Sequence, residues 1–470
     1  MQQDRPGTTV DIRAGRPGVR DGVPFEPRSF EGREWRAALL VVVCLLVPIY
    51  ASTASWDTLQ SNDPRSAALA GWTLAATGSL AFDDRWEPEV TSWPAEGRDG
   101  RFYSNRFPGV IFLSSAAYVG PVAIGLVPAD PVEHPYEVPI WPATLVAILV
   151  AAVAVLLTYR VFREVAVPRQ AALLAGVTVA IGSPVWSVSA DALWTHGATH
   201  ALLMGALLTL LRGSTAGGMI LCMAAVTFRP HLVVAVGVLA FLERSWPRRV
   251  AVGAGGVAGL GLVALYSLIV FGQPLPAAGY RVGHVLEVLP LSSPGSFTAN
   301  VRDWLFDAHR GVVLFVPALL LAIPKGRAAW RSAPRWVRIS AVAGLAYAVA
   351  QVGLMRASGG TFFFGHRTTI EALVLASPFL LLAVHRLWTE VRVARVGIAS
   401  LIGFSIVTHG FGAWIGMPRE AREDMREFQA ETRPDRVASV DLSAPPGIDS
   451  RGDPSHPTAF HLAKELQNPR

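Results

Sequence analysis

The sequence predicts an all-α polytopic membrane protein, a bundle of about eleven transmembrane helices. Three observations carry this. The 470-residue chain is 51% hydrophobic and only 16% charged, where a soluble domain carries about 25% charged residues. Its mean hydropathy is +0.39. Apolar runs long enough to cross a bilayer recur along it, and in lipid such runs satisfy their backbone as helices.

In chain order, residues 1–36 are rich in Arg, Gly and Pro and lack periodicity, which predicts a disordered tail. A first span follows at 37–54. The small residues after it, "ASTAS", resemble a cleavage site, but the long polar tail before the span and the many spans after it favour an uncleaved helix. Residues 55–137 form a long polar loop. Further apolar runs lie at 138–159, 170–188, 192–211, 216–228, 231–242, 250–271, 311–323, 336–355, 368–384 and 396–415. Residues 272–310 form a second large loop, and 416–470 a polar tail.

Charge orients these elements. Loops on the N-terminal side hold Arg160, Arg163, Arg169, Arg212, Arg244, Arg248, Arg249, Lys325, Arg327, Arg331, Arg335, Arg338, Arg386, Arg392 and Arg395. Basic loops stay in the cytoplasm, so the N-terminus is placed there, with both large loops and the C-terminal tail outside. A crossing at 109–127 would invert this pattern. That run is therefore expected to lie in the outer interface, where Gly109, Ser114, Ser115, Gly120 and Pro121 suit packing on protein. The runs 216–228 and 231–242 are too short for ordinary spans. They read as a tight helical pair whose elbow, Arg229-Pro230-His231, turns Arg229 into a polar cavity.

The net charge of +6 in this setting points to the membrane rather than to nucleic acid. Only Lys325 and Lys464 among the 41 basic residues are lysines, a bias of GC-rich bacterial genomes. Cys44 and Cys222 sit in apolar runs without metal spacing and read as small hydrophobes.

Chemistry-bearing residues concentrate in the outer loops. Asp63 begins a stretch in which Ala67, Leu69, Trp72, Leu74 and Ala75 recur at helical spacing, predicting an amphipathic helix along the membrane surface. Asn62 or Asp63 is a helix cap on one reading. On the other, Asp63 is a general base whose partial desolvation raises its pKa. Arg65 and Arg106 would sit at headgroup level and grip a phosphate, with Tyr103 and Asn105 shaping the turn before the Phe107-Pro108-Gly109 helix start. Asp191, His196 and His200 line the outer start of a span. The two histidines are four apart, as in many metal sites, but no third ligand is evident, so no metal or other cofactor is assigned and hydrogen bonding into a cavity is the reading. Arg310, His366 and Arg367 lie where outer loops re-enter the membrane.

The architecture resembles the GT-C membrane glycosyltransferases. The resemblance is to their polyprenyl-phosphate-sugar-dependent branch, which includes protein O-mannosyltransferases, the lipid A aminoarabinose transferase and actinobacterial arabinofuranosyltransferases. Asn62-Asp63-Pro64-Arg65 is similar to that branch's acidic element in the first outer loop, and Arg106-Phe107-Pro108-Gly109 to its basic residue before a helix start. "SADALWTHGATHALLMGALLTL" and "FRPHLVVAVGVL" resemble its acidic span start and its short pair with a basic elbow, and "LFDAHRGVVLFVPALLLAIP" and "FFFGHRTTIEALVLASPFLLLA" its late outer loops. The resemblance covers roughly 37–415. It implies a bundle with an outer cavity, a donor of one sugar on a polyprenyl phosphate, and a glycan, lipid or protein acceptor. It also implies inverting displacement, with Asp63 as base and Arg65, Arg106, Arg229, Arg310 and Arg367 on the donor phosphate. Where the branch often has two adjacent acids this chain has Asn62-Asp63, which leaves Asp83 and Asp84 as alternative bases. The rival readings are a transporter or flippase for lipid-linked sugars, or a non-catalytic scaffold.

Overall fold

The computed structural model describes residues 32–56, 62–84, 86, 94–130, 132, 135–274, 293–307, 311–354, 364–368 and 370–415. Most of both tails lies outside these residues, as do His134, Arg281, His284, His309 and Arg310.

The chain is an all-α polytopic membrane protein. Helix α1 is continuous through Gly32–Val41, a π-helical turn Val42–Leu46, and Val47–Thr53. The first loop contributes α2 (Asn62–Thr77), the strands β1 (Pro94–Glu96) and β2 (Phe102–Ser104), and α3 (Pro108–Ala123). Then follow α4 (Trp141–Phe162), α5 (Arg169–Ile181), α6 (Thr195–Leu211), α7 (Thr215–Phe228), α8 (Val233–Leu239) and α9 (Trp246–Phe271). The last elements are α10 (Pro294–Phe306), α11 (Ile323–Ser332), α12 (Arg335–Leu354), α13 (Ile370–Glu390) and α14 (Ala394–Ile415).

Among the described residues, six helices are long and apolar enough to cross a bilayer: Glu34–Thr53, Trp141–Phe162, Trp246–Phe271, Arg335–Leu354, Ile370–Glu390 and Ala394–Trp414. Shorter apolar helices are Pro108–Ala123, Arg169–Ile181, Thr195–Leu211, Thr215–Phe228 and Pro230–Leu242. Ten of the eleven expected spans thus coincide with apolar helices. The run 311–323 does not. It breaks into a single turn Val312–Phe315, a 3₁₀ stretch Pro317–Ala322 and then α11, because Pro317 and Pro324 each remove a helix donor.

Small residues set the closest approaches. On α9, a Cβ at Gly255 would fall 2.6 Å from the Met219 carbonyl oxygen of α7, and one at Gly259 2.6 Å from that of Met223. Gly255 and Gly259 therefore lie on a helix-packing face. Polar ties fix other helices. Ser340 on α12 donates to the Leu375 carbonyl of α13 at 2.6 Å. On α14, His409 donates through Nε2 to the Phe315 carbonyl at 2.9 Å, so Nδ1 accepts from Ser187, also at 2.9 Å.

Ala67, Leu69, Trp72, Phe82, Trp86, Val110, Ile111 and Tyr118 of the first loop share a second core with bundle residues such as Ala147, Phe228 and Val270. Trp72 stacks on Trp86 with ring centroids 5.8 Å apart and donates to the Pro128 carbonyl at 2.9 Å. This corrects the expectation of an amphipathic α2 with one exposed face. From Pro64 to Thr73 every residue is buried. The helix packs against α3, where Gly71 lets Ser114 approach, so it is buried all round instead of along one stripe.

Candidate active site

Three segments distant in sequence converge above the bundle. Helix α2 brings Asp63 in its first turn. The hairpin brings Arg106: β1 and β2 pair antiparallel, with Ala95 opposite Tyr103, and the turn is closed by Gly97 N–H to Arg101 O at 2.7 Å. Tyr103 donates its hydroxyl to Asp99 at 2.8 Å, so it braces the turn. The Ser66 and Ser104 hydroxyls meet at 2.7 Å and pin β2 to α2. Two residues on, past buried Asn105, Arg106 reaches Asp63. Pro108 then starts α3 from an extended Phe107 (φ −68°, ψ 148°). Gly109 admits the Phe228 ring of α7, which would lie 2.6 Å from a Cβ there, so it packs on protein as the sequence suggests. The third segment is the short stretch before α13, which carries Arg367.

Asp63 is held on both oxygens. Arg106 Nη1 donates to Oδ1 at 2.7 Å and Arg367 Nη1 to Oδ2 at 3.1 Å. The side chains of Asp63, Arg106 and Arg367 are 28%, 18% and 12% exposed, so water reaches the carboxylate. Arg367 also lies over the Trp194 ring, 4.2 Å from its centroid, a cation–π contact that fixes the guanidinium plane. Burial by itself pushes the Asp63 pKa up, but Arg106 and Arg367, with His196 and Arg229 behind them, outweigh it and hold it below the ordinary aspartate value. This reverses the raised pKa expected from desolvation alone, because the sequence did not show that two cations face the carboxylate.

Beneath this clamp lies a second polar layer. Arg229, at the elbow between α7 and α8, is buried and turns into the bundle. Its Nε is 3.5 Å from Glu371 Oε1. Glu371, fully buried in the first turn of α13, accepts from His196 Nδ1 at 2.9 Å, Thr199 at 2.8 Å and Tyr347 at 3.1 Å. With its Nδ1 donating, His196 offers Nε2 to Arg229 Nη1 at 3.1 Å. Arg229 Nη2 reaches Gln351 and His231, both at 3.3 Å. The lower layer balances one arginine against one glutamate. In the upper layer two arginines share one aspartate.

The remaining candidates are distributed around this core. Arg65 is among the largest fully buried side chains. Two residues after Asp63 on one helix, it points about 200° away and so is not on the clamp face. His200 lies one turn below His196 and meets Thr158 of α4 at 2.7 Å. Asp191 is engaged by Ser55, whose hydroxyl donates to it at 2.9 Å, tying the end of α1 to the approach of α6. His366 is buried and accepts from the Trp304 indole at 3.3 Å. Asp84 forms an exposed pair with Arg101 at 3.2 Å. The Asn62 side chain and Arg310 lie outside the described residues. Among the described residues no group of three His, Cys, Asp or Glu side chains converges as a metal site.

Sequence reasoning missed Glu371, Tyr347 and Trp194. Glu371 had a readable signal: it is a carboxylate inside the apolar stretch "TTIEALVLASPFLLLA", where an ionisable group calls for a partner.

No family model matches the chain, and no curated protein matches it. Among solved structures, the chain is similar to ArnT from Cupriavidus metallidurans bound to undecaprenyl phosphate, with 13% identity over 87% of this chain and 82% of that one and a TM-score of 0.48. The apo state of the same protein gives the same identity and coverage with a TM-score of 0.46.

Proposed function

We propose that the chain is a GT-C membrane glycosyltransferase that moves one sugar from a polyprenyl-phosphate donor to an acceptor hydroxyl at the outer face of the cell membrane. The observation that carries this reading is the partly exposed Asp63 carboxylate clamped between the guanidinium groups of Arg106 and Arg367. Such a pair can take up a phosphodiester, since guanidinium forks suit phosphate oxygens.

The clamp also provides a reason for order. With no donor present, the arginines keep Asp63 a weak base. A donor phosphate placed on them supplies the anion they require and cancels part of their pull. The burial that raises the Asp63 pKa is then less opposed, and the carboxylate becomes a better proton acceptor once the donor has arrived. The acceptor oxygen attacks the anomeric carbon, its proton passes to Asp63, and the sugar–phosphate bond breaks. The released polyprenyl phosphate carries the extra negative charge onto the arginines, which stabilise it as it develops. Arg229, balanced by Glu371, braces the cluster from below. The sugar is a hexose or pentose, and the acceptor a glycan, lipid or protein of the envelope.

Topologically, the basic loops support a cytoplasmic N-terminus, with α3 in the outer interface. A cysteine placed at position 134 should react with an impermeant reagent from outside; labelling from the cytoplasmic side alone would overturn this placement of the first loop. Function is tested with purified protein and a polyprenyl-phosphate sugar. Transfer to a hydroxyl acceptor supports the enzyme, whereas movement of the intact donor across vesicles without transfer would identify a transporter.

A further inference from the structure

We propose that the arginine-rich end of the bundle holds a second ligand site, a groove for one phospholipid with an anionic headgroup, separate from the donor cavity. The groove lies between the end of the short helical pair and the first turn of α12. It has a volume of about 470 Å³ and is lined by Val238, Phe241, Arg335, Arg338, Ile339 and Val342. Arg338 lies about 14 Å along α12 from Tyr347 of the polar network, at 1.5 Å per residue, so the two sites are distinct.

The lining specifies the occupant. Both polar walls are arginines. Arg335 is oriented by the carbonyls of Phe241 and Leu242 in the 3₁₀ turn Ala240–Leu242, which hold the guanidinium at the groove mouth. Arg338 is half-buried on the wall one turn along the helix and makes no ion pair among the described residues. Glu243, the acid in the adjoining turn, is itself buried and accepts from Thr215 at 2.7 Å. The groove therefore presents positive charge above apolar walls. Those walls continue upward: Val342, Leu345 and Val349 form an exposed stripe at helical spacing on α12, and Phe241 is exposed beside it. A soluble phosphate would use the arginines but leave this stripe bare. A lipid uses both, with its phosphate between Arg335 and Arg338 and an acyl chain along the stripe. Basic pockets between transmembrane helices recognise anionic headgroups in this way.

The test is native mass spectrometry of the full-length protein after exchange from mixed phosphatidylglycerol and phosphatidylcholine bilayers into detergent. Wild-type protein should retain one phosphatidylglycerol and no phosphatidylcholine. Arg338→Gln, which leaves the Arg335 carbonyl contacts intact, should weaken retention about fivefold, and Arg335→Gln/Arg338→Gln should abolish it. Val342→Trp fills the groove without changing charge and should also abolish retention. Arg392→Gln, exposed elsewhere, should change nothing. Equal retention of both lipids by wild type, unchanged retention in Val342→Trp, or a loss in Arg392→Gln as large as in Arg338→Gln would overturn the proposal.

Discussion

Asp63 and Arg367 are 304 residues apart in the chain and 3.1 Å apart in space, and their ion pair closes the first loop onto the start of α13. A donor site that depends on this junction responds to changes at either end.

Arg367→Lys keeps the charge but loses the planar fork and most of the stacking on Trp194. It should raise the donor Kd or KM about tenfold, and Arg367→Ala about a hundredfold, the size of effect expected for a buried charge-assisted contact of 1.5–3 kcal/mol. Arg106→Lys and Arg106→Ala should follow the same order. Donor binding by the purified variants is the measurement.

The pH dependence follows from the Asp63 pKa. Its folded value lies below the ordinary aspartate value of about 3.9. A depressed carboxylate adds stability at pH above the unfolded value and loses it as pH falls through the folded one, so this contribution should fade only below about pH 4. In catalysis, the acid limb of kcat/KM reports free enzyme and that of kcat the donor complex. The kcat limb should therefore lie at higher pH than the kcat/KM limb. Arg367→Gln, by removing one cation, should move the kcat/KM limb up.

Glu371 and Arg229 should behave as a coupled buried pair. Glu371→Gln leaves Arg229 without its counter-charge and should cost about 3–5 kcal/mol of stability. Arg229→Met/Glu371→Leu removes both charges and should recover much of that loss. Thermal unfolding in detergent resolves the difference, and activity should not return with the stability.

Much of the bundle was readable from the sequence because long apolar stretches such as Trp141–Phe162 leave few alternatives to a helix. Asp63 and Arg106 were readable as polar residues beside helix starts. What eluded local reasoning was long-range. Arg367 was a candidate, but nothing near it names Asp63 as its partner, so the direction of the Asp63 shift came out reversed. Helix α2 was read as two-faced because its alanines score as weakly apolar; tight packing against α3 buries both sides. The hairpin went unread because Phe102–Ser104 is three residues long, too short for alternation to show. The break in 311–323 was signalled by Pro317, which mean hydropathy outweighed.

The most direct test of the account is Asp63→Asn, assayed for donor binding and single-turnover transfer on the same folded preparation. The account predicts donor affinity within a few-fold of wild type, since the arginines are released from their carboxylate, and transfer reduced about 10²–10⁴-fold by loss of the base. Wild-type transfer by Asp63→Asn would contradict the account at its centre.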